Sequence, residues 1–91
     1  MTTEGKHFVD EHQLELIRRV SNIEPILDEL LVKEVIQEEA YATIRAMSTC
    51  EDKMRALYIG PLKAGIVCKD VFYETLKTHE KYLITDLNKG Q

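Results

Sequence analysis

Asn22-Ile23-Glu24-Pro25-Ile26-Leu27-Asp28-Glu29-Leu30-Leu31 is the stretch that decides the fold. Its apolar residues Ile23, Ile26, Leu27, Leu30 and Leu31 recur at intervals of three and four. That is the period of a helix with one face in a core, whereas a half-buried strand would alternate. Asn22 stands at the N-cap position, where a short polar side chain accepts from first-turn amides. Pro25 falls in the first turn, where its missing N–H costs no intrahelical bond. Asp28 and Glu29 lie away from Leu27 and Leu30 on the helical wheel. One short segment thus supplies both a buried stripe and an acidic outer face.

The helical period continues in both directions. Upstream, it predicts a helix over about 7–20 with Leu14, Ile17 and Val20 on one face and Leu16 beside them. Phe8 falls on the opposite side of a straight helix, so a kink is expected between Val9 and Leu14. Downstream, Val35 and Ile36 open a short connection. A third helix over about 38–47 then turns Tyr41, Ile44 and Met47 inward, with Gln37 a poor cap before it. Ser48-Thr49-Cys50-Glu51 reads as a capping box, with the Ser48 hydroxyl on the new helix and Glu51 reaching back. Met54, Leu57 and Tyr58 face inward from that fourth helix, and Gly60-Pro61 ends it. A fifth helix, about 66–78, carries Val67, Cys68, Val71, Phe72 and Leu76 on one side. Thr78 is expected to cap a last helix in which Tyr82, Leu83 and Leu87 pack, with Gly90 at the C-terminal stop. Six short amphipathic helices with brief loops make an all-α bundle. The expected domain covers 7–88, between a disordered tail at 1–6 and a short tail at 89–91.

The chain has 91 residues, 44% of them hydrophobic and 31% charged. That suits one globular domain, is too apolar for disorder, and leaves no room for separate cofactor and substrate domains. The longest apolar runs, such as Leu30-Leu31-Val32, are too short to span a membrane. Residues 1–6 show no secretory signal, so Cys50 and Cys68 are expected to be reduced, half-buried and cytoplasmic. With 16 acids against 12 bases the net charge is −4, and no helix clusters Lys and Arg as a DNA-recognition helix would. Nucleic acid is therefore set aside as a partner. Catalytic constellations are also missing. His7 and His12 are five apart, off a shared helical face, and HExxH, CxxC and a Gly-rich phosphate loop do not occur. The acids of 24–39 lack the alternating ligands of a calcium loop. The expectation is a non-enzyme with no cofactor and no metal.

Charge is unevenly spread. Residues 1–48 hold ten acids and five bases, a net of −5, and residues 49–91 hold six acids and seven bases, a net of +1. Sorting by helix face is more informative. Arg18 and Arg19 lie opposite Ile17 and Val20, and Lys53 and Arg55 flank Met54, which makes a candidate basic face. Glu24, Asp28 and Glu29, with Glu38 and Glu39 on the next helix, make a candidate acidic face. All are expected to be exposed and available. A single surface pair contributes only about 0–1 kcal/mol. Two opposed patches on one small domain mean more, because a heterologous contact that does not close generates an open filament.

Several stretches then resemble one family. His7-Phe8-Val9-Asp10-Glu11-His12 followed by Leu16-Ile17-Arg18-Arg19-Val20, and Asn22-Ile23-Glu24 with Leu27-Asp28-Glu29-Leu30, are similar to the opening of a caspase-recruitment domain (CARD). Lys53-Met54-Arg55-Ala56-Leu57-Tyr58 looks like that family's fourth helix. Cys68-Lys69-Asp70 with Leu76, and Tyr82-Leu83-Ile84-Thr85-Asp86-Leu87, look like its fifth and sixth. Within the family the chain looks most like the CARDs of an inflammasome adaptor and of NOD-like receptor sensors. The resemblance implies a six-helix antiparallel death fold with a kinked first helix, without catalysis or cofactor. It implies partners that are other CARDs: copies of itself, the pro-domain of an inflammatory caspase, an inflammasome sensor or adaptor. A basic face on helices one and four, to which Arg19 and Arg55 align, would meet an acidic face on helices two and three, to which Glu24 and Asp28 align.

The sequence departs from the family in four places. Gln13 stands where adaptor CARDs carry an arginine, one residue is added near Lys33-Glu34, tryptophan is absent, and Leu62-Lys63-Ala64-Gly65 differs. The leading expectation is a module that assembles into helical filaments and recruits an inflammatory caspase. The alternative, prompted by a chain that starts at Met1 and holds little besides the CARD, is a decoy that caps or inhibits CARD filaments.

Overall fold

The computed structural model describes residues 7–89. Among them, seven α-helices and one 3₁₀ turn follow in order: α1 Phe8–Glu11, α2 Gln13–Arg19, α3 Ile23–Val32, α4 Glu38–Arg45, α5 Cys50–Ile59, the 3₁₀ turn Pro61–Ala64, α6 Ile66–His79 and α7 Lys81–Lys89. There is no strand among the described residues, and the all-α class holds. The expected first helix is α1 and α2, broken at His12, and this is the kink foreseen between Val9 and Leu14. The tail at 1–6 and the Gly90 stop lie outside the described residues, and Lys89, expected in a tail, is still helical.

The break has a visible cause. The Tyr58 hydroxyl donates to the Val9 carbonyl at 2.6 Å, so a side chain takes the acceptor that a continuous helix would use. His7 closes the other end of α1: its Nδ1 accepts from the Val9 amide at 3.2 Å. That leaves Nε2 to carry the ring proton, which it donates to Asp70 on α6 at 2.7 Å. His7 is thus the N-cap of α1.

The core forms where the inward stripes meet. Val9, Leu16, Ile17 and Val20 come from the first two helices, and Ile23, Ile26, Leu27 and Leu30 from α3. Ile36 and Ile44, Met54, Leu57 and Tyr58, Leu62, Phe72 and Leu76, and Leu83, Ile84 and Leu87 complete it. α3 packs on α6 and α4, α2 on α5, and α6 on α7. No helix of the described residues is long and apolar enough to cross a membrane.

Three residues expected inside are outside: Leu14, Val67 and Tyr82 are 57%, 69% and 85% exposed. The inward stripe of α2 is centred between Leu16 and Ile17, which places Leu14 about 110° away. Val67 precedes Phe72 by five residues, about 140° round α6. Tyr82 sits beside the Leu83–Ile84–Leu87 stripe rather than in it. Met47 lies beyond the end of α4 and is half-buried. Cys50 and Cys68 are free thiols and half-buried.

Capping also differs from expectation. Thr49, not Ser48, caps α5: its backbone is extended (φ −125°, ψ 158°) and its hydroxyl accepts from the Asp52 amide at 3.0 Å. Thr78 lies within α6 and donates to the Glu74 carbonyl at 3.2 Å, so it does not cap α7. Asn22 occupies the N-cap position of α3 without a side-chain cap bond. A distant residue supplies the acceptor instead: the Glu80 carboxylate takes the Ser21 and Asn22 amides at 3.2 and 2.8 Å. Gln37 makes no cap bond, as its residue type suggested.

The connection after α3 is a Schellman turn. The Glu34 amide donates to the Leu31 carbonyl at 3.0 Å and the Val35 amide to the Leu30 carbonyl at 2.9 Å. Glu34 takes φ 65°, a left-handed position that glycine usually fills. It contains Lys33-Glu34, where the resemblance implies an added residue.

Candidate functional site

The acidic residues come from adjacent helices, because α3 packs on α4. Their charges are not alike. Both oxygens of Glu24 are taken within the chain: Arg45 Nε donates to one at 2.8 Å and Lys53 Nζ to the other at 2.7 Å. The Lys53 hydrogen bond first, and Arg45 as well, hold the Glu24 carboxyl below the usual carboxylate range. Glu29 is bound by Lys33 at 2.8 Å and by His79 Nε2 at 2.8 Å, and it too is lowered, by Lys33 and then His79. Asp28 is exposed and has no ion-pair partner among the described residues, but it accepts the Tyr41 hydroxyl from α4. That bond raises the Tyr41 hydroxyl above its ordinary value. Glu38 and Glu39, in the first turn of α4, are exposed and make no ion pair among the described residues. They edge a shallow groove of about 610 Å³ with Leu31, Glu34, Ile36 and Gln37. Among the described residues, the carboxylates of this surface without an ion pair are therefore Asp28 and the Glu38–Glu39 start of α4, rather than the whole of α3.

The basic residues come from a second adjacent pair, α2 and α5. Arg18 is exposed and has no ion-pair partner among the described residues. Arg19 reaches Asp86 on α7 at 3.1 Å and Glu15 at 3.8 Å. Arg55, 52% exposed, makes only long contacts with its own helix, to Asp52 at 3.4 Å and Glu51 at 3.5 Å. Lys53 corrects the expectation of an available cation. Its side chain is 12% exposed and its ammonium is spent on Glu24. A candidate of the basic face and a candidate of the acidic face are thus bonded to each other inside one domain. Gln13, in the position where an arginine was missed, lines a groove of about 330 Å³ with Asp10, Tyr58, Ile59, Leu62, Lys63 and Lys69. Lys69 is matched there by Asp10 at 2.6 Å, and burial, then the Asp10 charge, pushes the Tyr58 hydroxyl up.

Sequence reasoning missed Arg45, the Tyr41 hydroxyl, His79 and Glu80. Tyr41 was read only as an inward residue. The other three are contacts across 21, 50 and 58–59 residues of chain, which no local pattern announces. The 3₁₀ turn at 61–64, with Leu62 buried, was readable only as a stop, although Pro61 at its first position was a signal. No three His, Cys, Asp or Glu side chains gather as metal ligands among the described residues.

Comparison with known proteins places this geometry. A family model described as "CARD: Caspase recruitment domain" matches residues 6–90. The Danio rerio protein named "Apoptosis-associated speck-like protein containing a CARD" is 46% identical over 86 residues, 93% of this chain and 42% of that protein. The Rattus norvegicus "NACHT, LRR and PYD domains-containing protein 1a allele 1" is 46% identical over 81 residues, 89% of this chain and 7% of that protein. A Mus musculus relative, "NACHT, LRR and PYD domains-containing protein 1b allele 3", is 41% identical over the same length. The chain spans less than half the length of these relatives.

Proposed function

The chain belongs to the caspase recruitment domain family, and on that premise we propose that it is a homotypic interaction module that assembles into filaments through its two charged surfaces. The observation that carries the reading is their placement. Among the described residues, positive charge that is unpaired (Arg18), loosely held (Arg55) or paired to α7 (Arg19 with Asp86) sits on the α2–α5 pair, and carboxylates without an ion pair (Asp28, Glu38, Glu39) sit on the α3–α4 pair. A copy that offers its α2–α5 surface to the α3–α4 surface of the next leaves one surface of each kind open. Such a contact is heterologous and propagates instead of closing. Charge complementarity sets encounter rate and register, while packing beneath supplies affinity. The partners of this reading are further CARDs: copies of this chain, an inflammasome sensor or adaptor, and the pro-domain of an inflammatory caspase, brought together in the cytoplasm for activation by proximity. It makes no use of catalysis or cofactor.

Negative-stain microscopy with Asp28→Lys and Arg55→Glu tests it. Each reversal is expected to leave the helical circular dichroism intact and abolish filaments. Filaments from either variant at the wild-type concentration overturn the charged-surface model. A wild-type chain that stays monomeric and blocks another CARD's polymerisation shows a decoy instead.

A further inference from the structure

Lys53, Glu24, Arg45, Tyr41 and Asp28 form one continuous chain of hydrogen bonds across α5, α3 and α4. It starts at Lys53, whose side chain is 12% exposed, and passes to Glu24 at 2.7 Å. From Glu24 it continues to Arg45 Nε at 2.8 Å, and Arg45 Nη1 donates to the Tyr41 hydroxyl oxygen at 3.2 Å. The Arg45 guanidinium also lies over the Tyr41 ring, 5.7 Å from its centroid. The chain ends where the Tyr41 hydroxyl donates to Asp28 Oδ1.

The direction of these bonds matters. A tyrosine hydroxyl carries one proton. With an arginine N–H on its lone pair, that proton is aimed outward at Asp28, and a neighbouring cation polarises it into a better donor. Asp28 therefore differs from the other α3 carboxylates. Glu24 and Glu29 are fixed by cations and their charge is matched. Asp28 is held by a neutral hydroxyl, is exposed and has no ion-pair partner among the described residues. An oriented, exposed carboxylate loses less freedom when a cation docks on it.

We propose that Tyr41 and Arg45 are positioning residues for assembly, which hold the Asp28 carboxylate in the orientation that the basic surface of a neighbouring CARD meets. Lys53 and Glu24 anchor Arg45 from behind and are struts of this arrangement rather than contacts of the two faces. The inference rests on the charged-surface reading above, and the experiment separates the two.

The measurement is the threshold concentration for self-assembly of the full chain, by sedimentation, alongside thermal unfolding. Tyr41→Phe keeps the ring and loses only the hydroxyl. It is expected to raise the threshold about three- to tenfold, the scale of one side chain's ordering on binding, with little change in Tm. Arg45→Lys keeps the charge but not the guanidinium fork, and shifts the threshold the same way. In an Asp28→Asn background, which itself raises the threshold, Tyr41→Phe is expected to add nothing, since there is no longer a charge to orient. An unchanged threshold in Tyr41→Phe, or an equal further shift in the Asp28→Asn background, overturns the positioning role and leaves the charged-surface reading intact. An Asp28→Asn chain that assembles as wild type, or a wild-type chain that never assembles, overturns that reading and this inference with it.

Discussion

The α3–α4 pair and the α2–α5 pair carry opposite charge and hold it in different ways. On the α3 side of the first pair, the carboxylates are tied by contacts distant in sequence: Glu24 to Arg45 and Lys53, Glu29 to His79, Asp28 to Tyr41. On α2–α5, Arg55 has only 3.4–3.5 Å contacts within its own turn, Arg18 has no ion pair among the described residues, and Arg19 has a single short tertiary partner, Asp86. One surface is preset and the other adaptable. Long basic side chains on the adaptable side can seek a rigid carboxylate, and only one partner then needs to be ordered in advance.

The hardest way to break this comparison is to exchange the charges. Asp28→Lys and Arg55→Glu, each inert alone, are expected to co-assemble when mixed, because the reversed lysine of one chain can face the reversed glutamate of the other. Pelleting of the mixture but of neither variant alone is the readout, and failure of the mixture separates the two positions from one shared contact. Next in size is the anchor of the adaptable side. Tyr58→Phe leaves the buried Val9 carbonyl without its 2.6 Å donor and loosens the α1–α2 break, with an expected loss of about 1–3 kcal/mol in chemical denaturation. Because burial raises this hydroxyl, the neutral form is the one the fold favours. Its stabilisation is complete below the ordinary tyrosine value of about 10 and fades as pH rises above it, and the variant should lose that alkaline dependence.

On the preset side, Glu34→Gly relieves the left-handed backbone after α3. It is expected to gain about 0.5–1 kcal/mol, seen as a rise in Tm, and no gain would show that the turn is unstrained. The smallest effect is acid sensitivity. Glu24 and Glu29 have folded-state values below the unfolded one, so they stabilise fully above the ordinary carboxylate range of about 4.3. That contribution is lost as pH falls through their lowered folded values. Glu24→Gln should shrink the drop in Tm on acidification, and an unchanged drop would show that its ion pairs do not set the acid sensitivity.

Much of this was legible in the chain itself. The stripe Ile23–Ile26–Leu27–Leu30 needed only its period, and the break near His12 followed from Phe8 falling opposite Leu14, Ile17 and Val20 on a straight helix. Leu14, Val67 and Tyr82 misled because an apolar residue at the edge of a stripe is equally compatible with either side of it. Ser48 and Thr78 misled because several hydroxyls near a helix end compete for one cap, and backbone conformation chooses. Among the candidate site residues, Lys53 was misread because a wheel places a side chain on a face without saying what stands opposite.

The sequence alone determined an all-α domain with a caspase recruitment domain pattern, since helical period and the order of motifs are properties of neighbours along the chain. The tertiary structure alone decided which charges remain for a partner. Ion pairs and hydrogen bonds close only over a few ångströms, so Glu24 meets Arg45 and Lys53, far apart in sequence and within 3 Å in space, only once the helices are packed. Asp28, oriented by a hydroxyl from the next helix, stays exposed without an ion pair among the described residues.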